Sequence, residues 1–338
     1  MKEDNMEQME FLLDDDRLKK AYKKSKFLST LRTIVIVIIV IIPLFVVFSI
    51  VNFIVTNKIR TEYYAQVEKV LELTKPNTYI SSANDIIGFL GARGQYTVSK
   101  RIGRWKSIEL YDQNSSYGLV AIKDLARFTM SSSSNGQKSG EWPVNFDSSG
   151  NLTMIAFHPD IKYKEYKNDI SLINKVCSDS LLEMTLSFDK KYKVTEISRI
   201  LPKIQVSELL IDGYTDAEME KYKNEAIDYD GKSTFIRDFS FIGLKTSEMF
   251  KFNALGDLSG TYKKFLDNLQ FDFKNNYYKS KFSNIYSTLK TKNQLDVSNV
   301  DVIGVVVYGS PEELQQLKSN PHIKASSVGI ITKDIIFK

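Results

Sequence analysis

The chain has 338 residues, of which 46 are basic and 41 acidic, a formal net charge of +5, with 43% hydrophobic and 26% charged content. That balance is typical of folded protein and argues against both a disordered chain and the concentrated positive field of a nucleic-acid binder. One cysteine, Cys177, excludes an intramolecular disulfide, a Cys-x-x-Cys redox motif and a Cys-based metal site, and two histidines, His158 and His322, leave little material for His-centred catalysis.

The first stretch, "MEQMEFLLDDD", sets Met6, Met9, Phe11, Leu12 and Leu13 among acids, an apolar cluster that a segment this short cannot bury. Phe11, Leu12 and Leu13 are the residues expected to contact a partner; the plainer alternative is a frayed end touching lipid headgroups. Asp14, Asp15 and Asp16 then precede a stretch free of Gly and Pro as far as Pro43, which predicts a helix with acids at its start. Seven basic residues follow: Arg17, Lys19, Lys20, Lys23, Lys24, Lys26 and Arg32. They are a topology signal that also attracts anionic lipid.

From Ile34 to Val55 the chain is apolar except for Pro43, Ser49 and Asn52. Its 22 residues reach roughly 33 Å as a helix, enough to cross a bilayer. The run is too long for a signal-peptide core and no small-x-small site follows, so an uncleaved anchor is expected. Basic residues on its N-terminal side place that side in the cytoplasm and everything from about Asn57 onward outside.

Residues 57–74 put Ile59, Tyr63, Val67, Val70 and Leu71 at helical spacing, a stalk that Pro76 should end. The runs "QYTVSKRIG", "KSIELY", "YGLVAI" and "LTMIAF" read as strands separated by Gly, Asn and Ser clusters. "SSSSNGQKSG" from Ser131 to Gly140 reads as a surface loop, and "FDSSGNLTMIAF" as a hairpin turning at Ser149–Gly150. A helical stretch near Asp169–Lys175 leads to strand "SLLEMTLSF", short helix "VTEISRIL" and strand "IQVSELLI". The order recurs at the end as "VDVIGVVVYG", "SPEELQQLKS" and "ASSVGIIT", where Ser310, Pro311 and Glu313 make a capping box. Between the two lies an insertion in which Tyr262, Phe265, Leu266, Leu269, Phe273 and Tyr277, then Phe282, Ile285 and Leu289, recur at helical spacing as a core-facing stripe.

The expected class is α+β: a single transmembrane helix, a β-rich subdomain, and a ferredoxin-like (double βαβ) C-terminal domain with a helical insertion. The division is a cytoplasmic segment 1–32, transmembrane helix 33–56, helical stalk 57–76, β-rich extracytoplasmic subdomain 77–168 and C-terminal extracytoplasmic domain 169–338, its insertion at about 214–298.

A search for chemistry finds no convergent set. "GFLGARG", Gly88 to Gly94, fits neither a dinucleotide nor a Walker pattern and reads as a flexible turn. His158 near Asp160 follows a strand exit, and His322 lies in the turn before the last strand as a surface residue. Asp189 ends a strand, where capping the next helix outweighs a binding role, and Glu208 either pairs with a cation or faces solvent. No enzyme, cofactor or metal is expected.

"KKAYKKSKFLSTLRTIVIVIIVIIPLF", "KPNTYISS" with "GARGQYTVSKRIG", "LSFDKKY" and "VIGVVVYGSPEELQQLKSNPHIKASSVGIIT" together resemble the Gram-positive sigma factor regulator proteins, membrane-anchored and anti-sigma-factor-like, with paired N-terminal and C-terminal regulator domains. The resemblance implies an envelope-facing sensor that restrains an extracytoplasmic-function sigma factor through its cytoplasmic end. With 32 residues ahead of the span and no zinc ligands there, restraint would rely on a peptide-like segment, the membrane helix or a second membrane protein. Expected partners are thus membrane lipid, a sigma factor or a second membrane regulator, and an envelope polymer. The rival is an envelope-binding or membrane-complex accessory protein with no sigma contact.

Overall fold

The computed structural model describes residues 3–75, 77–103, 106–119, 142, 144–147, 149–201, 203–228, 235–237, 240–246 and 255–333, with the side chains of 3–16 and 255–257 outside that description. The chain forms two compact units, Met1–Lys58 and Ile59–Lys338. Their boundary falls within one long helix, α1 (Glu3–Thr74), with Pro43 inside it. It begins at Glu3, ahead of Asp14–Asp16, so these acids do not mark its start. It ends at Thr74, as expected from Pro76 two residues on. The apolar stretch makes α1 the one helix among the described residues long and apolar enough to cross a membrane. The Ser49 hydroxyl donates to the Phe45 carbonyl at 2.8 Å, which lowers the cost of a polar side chain in that stretch.

Within the second unit, β1 (Thr78–Ile87), β2 (Gly91–Ile102) and β3 (Lys106–Gly118) form an antiparallel sheet in the order β1-β2-β3. Two sequence expectations fail here. Gly91–Gly94 of the presumed flexible turn lie inside β2, only Gly88–Leu90 turning, and the Asp112–Ser116 stretch that reads as a strand break lies inside β3. Cross-strand pairing overrides the local preference of Gly, Asn and Ser for turns. Val120–Ile122 of "YGLVAI" and the loop Ser131–Gly140 lie outside the described residues. The Ser149–Gly150 turn forms as read: Phe146 bridges Leu152, Gly150 has φ +82°, and the Asp147 carboxylate accepts from the backbone N–H of Ser149 and Asn151.

The second sheet contains β5 (Ser180–Lys193), β6 (Gln205–Ile211), β8 (Gly243–Lys245), β9 (Asp301–Gly309) and β10 (Ile323–Lys333), in the order β10-β5-β9-β6-β8, all antiparallel. The remaining two-residue strands β4 (Ile155–Ala156) and β7 (Ile236–Arg237) pair with each other. Helix α2 (Val194–Ile200) joins β5 to β6 and α6 (Pro311–Gln315) leads from β9 toward β10, so each connection passes over one intervening strand. The α6 capping box forms as read, Ser310 Oγ accepting from Glu313 N–H at 3.2 Å and Glu313 Oε2 from Ser310 N–H at 2.8 Å. The expected helical stretch at Asp169–Lys175 is a 3₁₀ helix.

Both faces of β5 are covered. Leu182, Met184, Leu186 and Phe188 are buried on one, while Glu183, Thr185 and Ser187 are buried on the other. The polar row is satisfied: Glu183 Oε1 lies 2.6 Å from Lys100 Nζ, Thr185 bonds Met154 Sδ at 3.1 Å, and Ser187 Oγ accepts from Phe157 N–H at 2.9 Å. Glu208 is likewise buried, not solvent-facing.

The insertion carries α3 (Asp216–Asp228), α4 (Leu255–Leu269) and α5 (Asn276–Thr291). Its aromatic stripe is core, as expected, with one correction: Tyr277 is exposed and Tyr278 is buried. Asn275 caps α5 through Tyr277 N–H and Tyr278 N–H, and that start fixes a phase placing 278, 282, 285 and 289 inward.

Candidate functional site

The last turns of α1, Ile59–Thr74, belong to the second unit. Tyr63, Val67, Val70, Leu71 and Leu73 are buried there, Ile59 partly so. This segment is gripped from two sides.

On one side stands Asp85 of β1, its side chain only 3% exposed. Its carboxylate accepts from Arg60 Nε at 3.0 Å, from the Tyr64 hydroxyl at 2.9 and 3.0 Å, from Ser115 Oγ at 2.8 Å and from the Tyr117 hydroxyl at 3.0 Å. Arg60 and Tyr64 come from α1, Ser115 and Tyr117 from β3 two strands away. In register, Asp85 faces Gly94, which faces Ser115. A Cβ on residue 94 would clash with the Asn84 carbonyl and lie 2.6 Å from Asp85 Oδ1, so β1 and its carboxylate lie this close over β2 only because that position has no side chain. Burial raises the Asp85 pKa, but the hydrogen bonds from Ser115, Tyr64, Tyr117 and Arg60 outweigh it and hold the group below the ordinary carboxylate value. Burial above all pushes the Tyr63 and Tyr64 phenols up to about 12, so both stay protonated at neutral pH. The rings add to the contact: Tyr63 stacks on Tyr117 with centroids 5.1 Å apart, and Tyr64 meets Tyr96 edge-on at 5.9 Å.

On the other side is the α4–α5 corner. Lys274 Nζ lies 2.5 Å from Glu62 Oε2 and its backbone N–H donates to Gln66 Oε1 at 2.9 Å. Lys69 Nζ donates to Asn268 Oδ1 at 2.8 Å, and Glu72 accepts from Lys264 at 2.6 Å and from Asn268 at 2.7 Å. Between the two grips a cleft of about 130 Å³ is lined by Ile59, Tyr63, Tyr117, Leu119, Lys274 and others.

A second polar cluster centres on a buried pair, His158 and Asp212. His158, read beside Asp160, is buried with Nε2 3.4 Å from Asp212 Oδ1, while its Nδ1 accepts Asp160 N–H at 3.1 Å. Lys191 Nζ lies 2.6 Å from both Asp160 and Asp212, and Lys292 Nζ lies 3.2 Å from Asp212. Burial raises the Asp212 pKa, but His158, Lys191 and Lys292 hold it well below the ordinary carboxylate value. These contacts tie the end of β6 to β5 and to the end of α5. His322 is half-buried, its Nδ1 2.8 Å from the Tyr192 hydroxyl, which also bonds Asp189 at 2.7 Å. Asp189 lies within β5 and Lys193 is the N-cap of α2, so the expected capping role is not seen. Among the described residues no group of three His, Cys, Asp or Glu could hold a metal.

Of the residues singled out in the sequence, Arg17, Lys19, Lys20, Lys23, Lys24, Lys26 and Arg32 are exposed on α1. Phe11, Leu12 and Leu13 are in the same helix, with side chains outside the described residues. Sequence reasoning missed Asp85, Tyr64, Ser115 and Tyr117. The one available signal was a glycine at 94, directly before the strand-like run that begins at Gln95.

Two family models match, Sigma factor regulator N-terminal over residues 19–106 and Sigma factor regulator C-terminal over residues 173–330. The chain belongs to the sigma factor regulator family. The N-terminal match spans the apolar helix, the stalk and β1–β2, so it takes in Arg60, Tyr64, Asp85 and Gly94 together. The C-terminal match takes in the second sheet and the α4–α5 corner. The family and the apolar helix make this a membrane-bound regulator of sigma-factor activity. No curated protein and no solved structure matches the chain.

Proposed function

We propose that this sigma factor regulator is a non-enzymatic single-pass protein whose extracytoplasmic unit senses the state of the envelope and sets the grip on the last turns of α1. Its N-terminal segment controls an extracytoplasmic-function sigma factor, directly or with a second membrane regulator. The observation that carries this reading is that one helix, Glu3–Thr74, bears both the membrane-crossing stretch and the residues held by Asp85 and Lys274. Excess basic residues ahead of the span support an N-terminus in the cytoplasm. The division 1–32, 33–56, 57–76, 77–168 and 169–338 is part of the proposal. So is a ferredoxin-like core built from β10-β5-β9-β6 and extended by β8, which the strand order favours.

Phe11, Leu12 and Leu13 are proposed as the partner contact. Full-length protein is purified in detergent from cells, with and without these three changed to Ala, and co-purifying sigma factor is measured. Loss of recovery in the triple variant is the expected result. Recovery equal to the natural chain would reject those contacts, and the absence of any sigma factor in either sample would favour the accessory reading.

A further inference from the structure

The second unit begins at Ile59, four residues after Val55 closes the apolar run. Even a fully extended chain covers about 14 Å over that distance, so the edge of the unit bearing Ile59 lies close to the membrane surface. Strand β1 runs back toward that edge. Thr78 N–H donates to the Lys75 carbonyl at the far end of the stalk, whereas Asp85 meets Arg60, one residue from Ile59. The tip of the β1–β2 hairpin then projects past Arg60, with Ile87 about 7 Å beyond Asp85 along the strand.

That tip is apolar. Ile86 is 80% exposed, Ile87 51% and Phe89 60%, and Leu119 at the end of β3 is 64% exposed. They form one rim: Leu119 N–H donates to the Leu90 carbonyl at 2.9 Å and Gly88 N–H to that of Gly91 at 2.8 Å, with Leu90 held in the left-handed region at φ +48°. Arg93, paired in register with Ile86, is exposed beside it. Large apolar tips flanked by arginine suit the boundary between acyl chains and phosphates better than water.

We infer that the rim formed by Ile86, Ile87, Phe89 and Leu119 docks into the bilayer leaflet on the unit's own side, with Arg93 at the headgroup phosphates. The inference holds whichever side of the membrane the unit occupies, so it stands or falls apart from the proposed topology. Lipid contact at this rim adjoins the Asp85 grip, which makes the packing of the leaflet one influence on how α1 is held.

The test uses the full chain carrying Cys177→Ser and one new cysteine, Ile86→Cys, Ile87→Cys or Leu119→Cys, labelled with an environment-sensitive NBD fluorophore in vesicles of phosphatidylcholine and phosphatidylglycerol. A reference sample carries the label on the natural, exposed Cys177, just ahead of Leu181, which packs on Ile102 at the opposite end of β2. The rim labels are expected to emit at shorter wavelength and to be quenched by lipid spin-labelled near the glycerol, while the Cys177 label stays water-like and unquenched. Water-like emission at the rim overturns the inference. So does shielding without spin-label quenching, which would assign the rim to a protein contact.

Discussion

At the scale of single residues, Asp85 decides how β1, β3 and α1 meet. Removing its side chain leaves three hydroxyls without their acceptor, while the exposed Arg60 turns to water, so Asp85→Ala is expected to cost about 2–3 kcal/mol. Gly94→Ala should approach the same loss while leaving all four donors in place, because the new methyl group meets the Asn84 carbonyl and the Asp85 Cα as well as the carboxylate, and forces β1 off β2. Thermal unfolding of full-length protein in detergent checks both, and a Gly94→Ala protein as stable as the natural one would refute the role given to that glycine. The pH dependence has a definite sign. Asp85 and Asp212 have folded pKa values below their unfolded ones, so their contribution is complete above the ordinary carboxylate range near pH 4 and is lost as pH falls through it and below. In Asp85→Asn, melting temperature should fall less between pH 5 and pH 3 than in the natural protein, a window chosen around about pH 4.

Among the elements, the packing inside the α4–α5 corner and the surface charge that ties it to α1 differ in strength. Phe273 is buried against Phe271, Tyr278 and Phe282, and Phe273→Ala is expected to cost about 3–5 kcal/mol. The Lys274–Glu62 pair is half-exposed, so Lys274→Ala should cost under about 1 kcal/mol in the same melt. Legibility in the sequence followed the same physics. The apolar run of β9, the α6 capping box and the stripe of α4 and α5 were readable because each is written in residues close together in the chain. Phase slipped by one residue at Tyr277 and Tyr278, since two adjacent tyrosines fit the period equally well and only the Asn275 cap separates them. The strand at Asp112–Ser116 was hidden because its polar residues are satisfied by distant groups, Thr97 for Asp112 and Asp85 for Ser115, which no local pattern records. The Asp85 site was hidden for the same reason, being assembled from positions up to 57 apart, from Arg60 to Tyr117.

For the whole molecule, the proposed outward placement of the second unit can be tested by a simple experiment, since Cys177 is the chain's one cysteine and is exposed. A membrane-impermeant maleimide should label it in intact cells without permeabilisation. Labelling that appears only after permeabilisation would invert the proposed topology. The two grips on α1 also have a consequence for the proposed signalling. At about 100° per residue, Arg60 and Tyr64 lie about 40° apart around the helix, whereas Glu62, Gln66 and Lys69 fall roughly 180–240° from Arg60. Any turn of the helix that loosens Asp85 therefore loosens the Lys274 side at the same moment. A regulator that lets go of both grips together would answer a rising stimulus with a threshold instead of a slope.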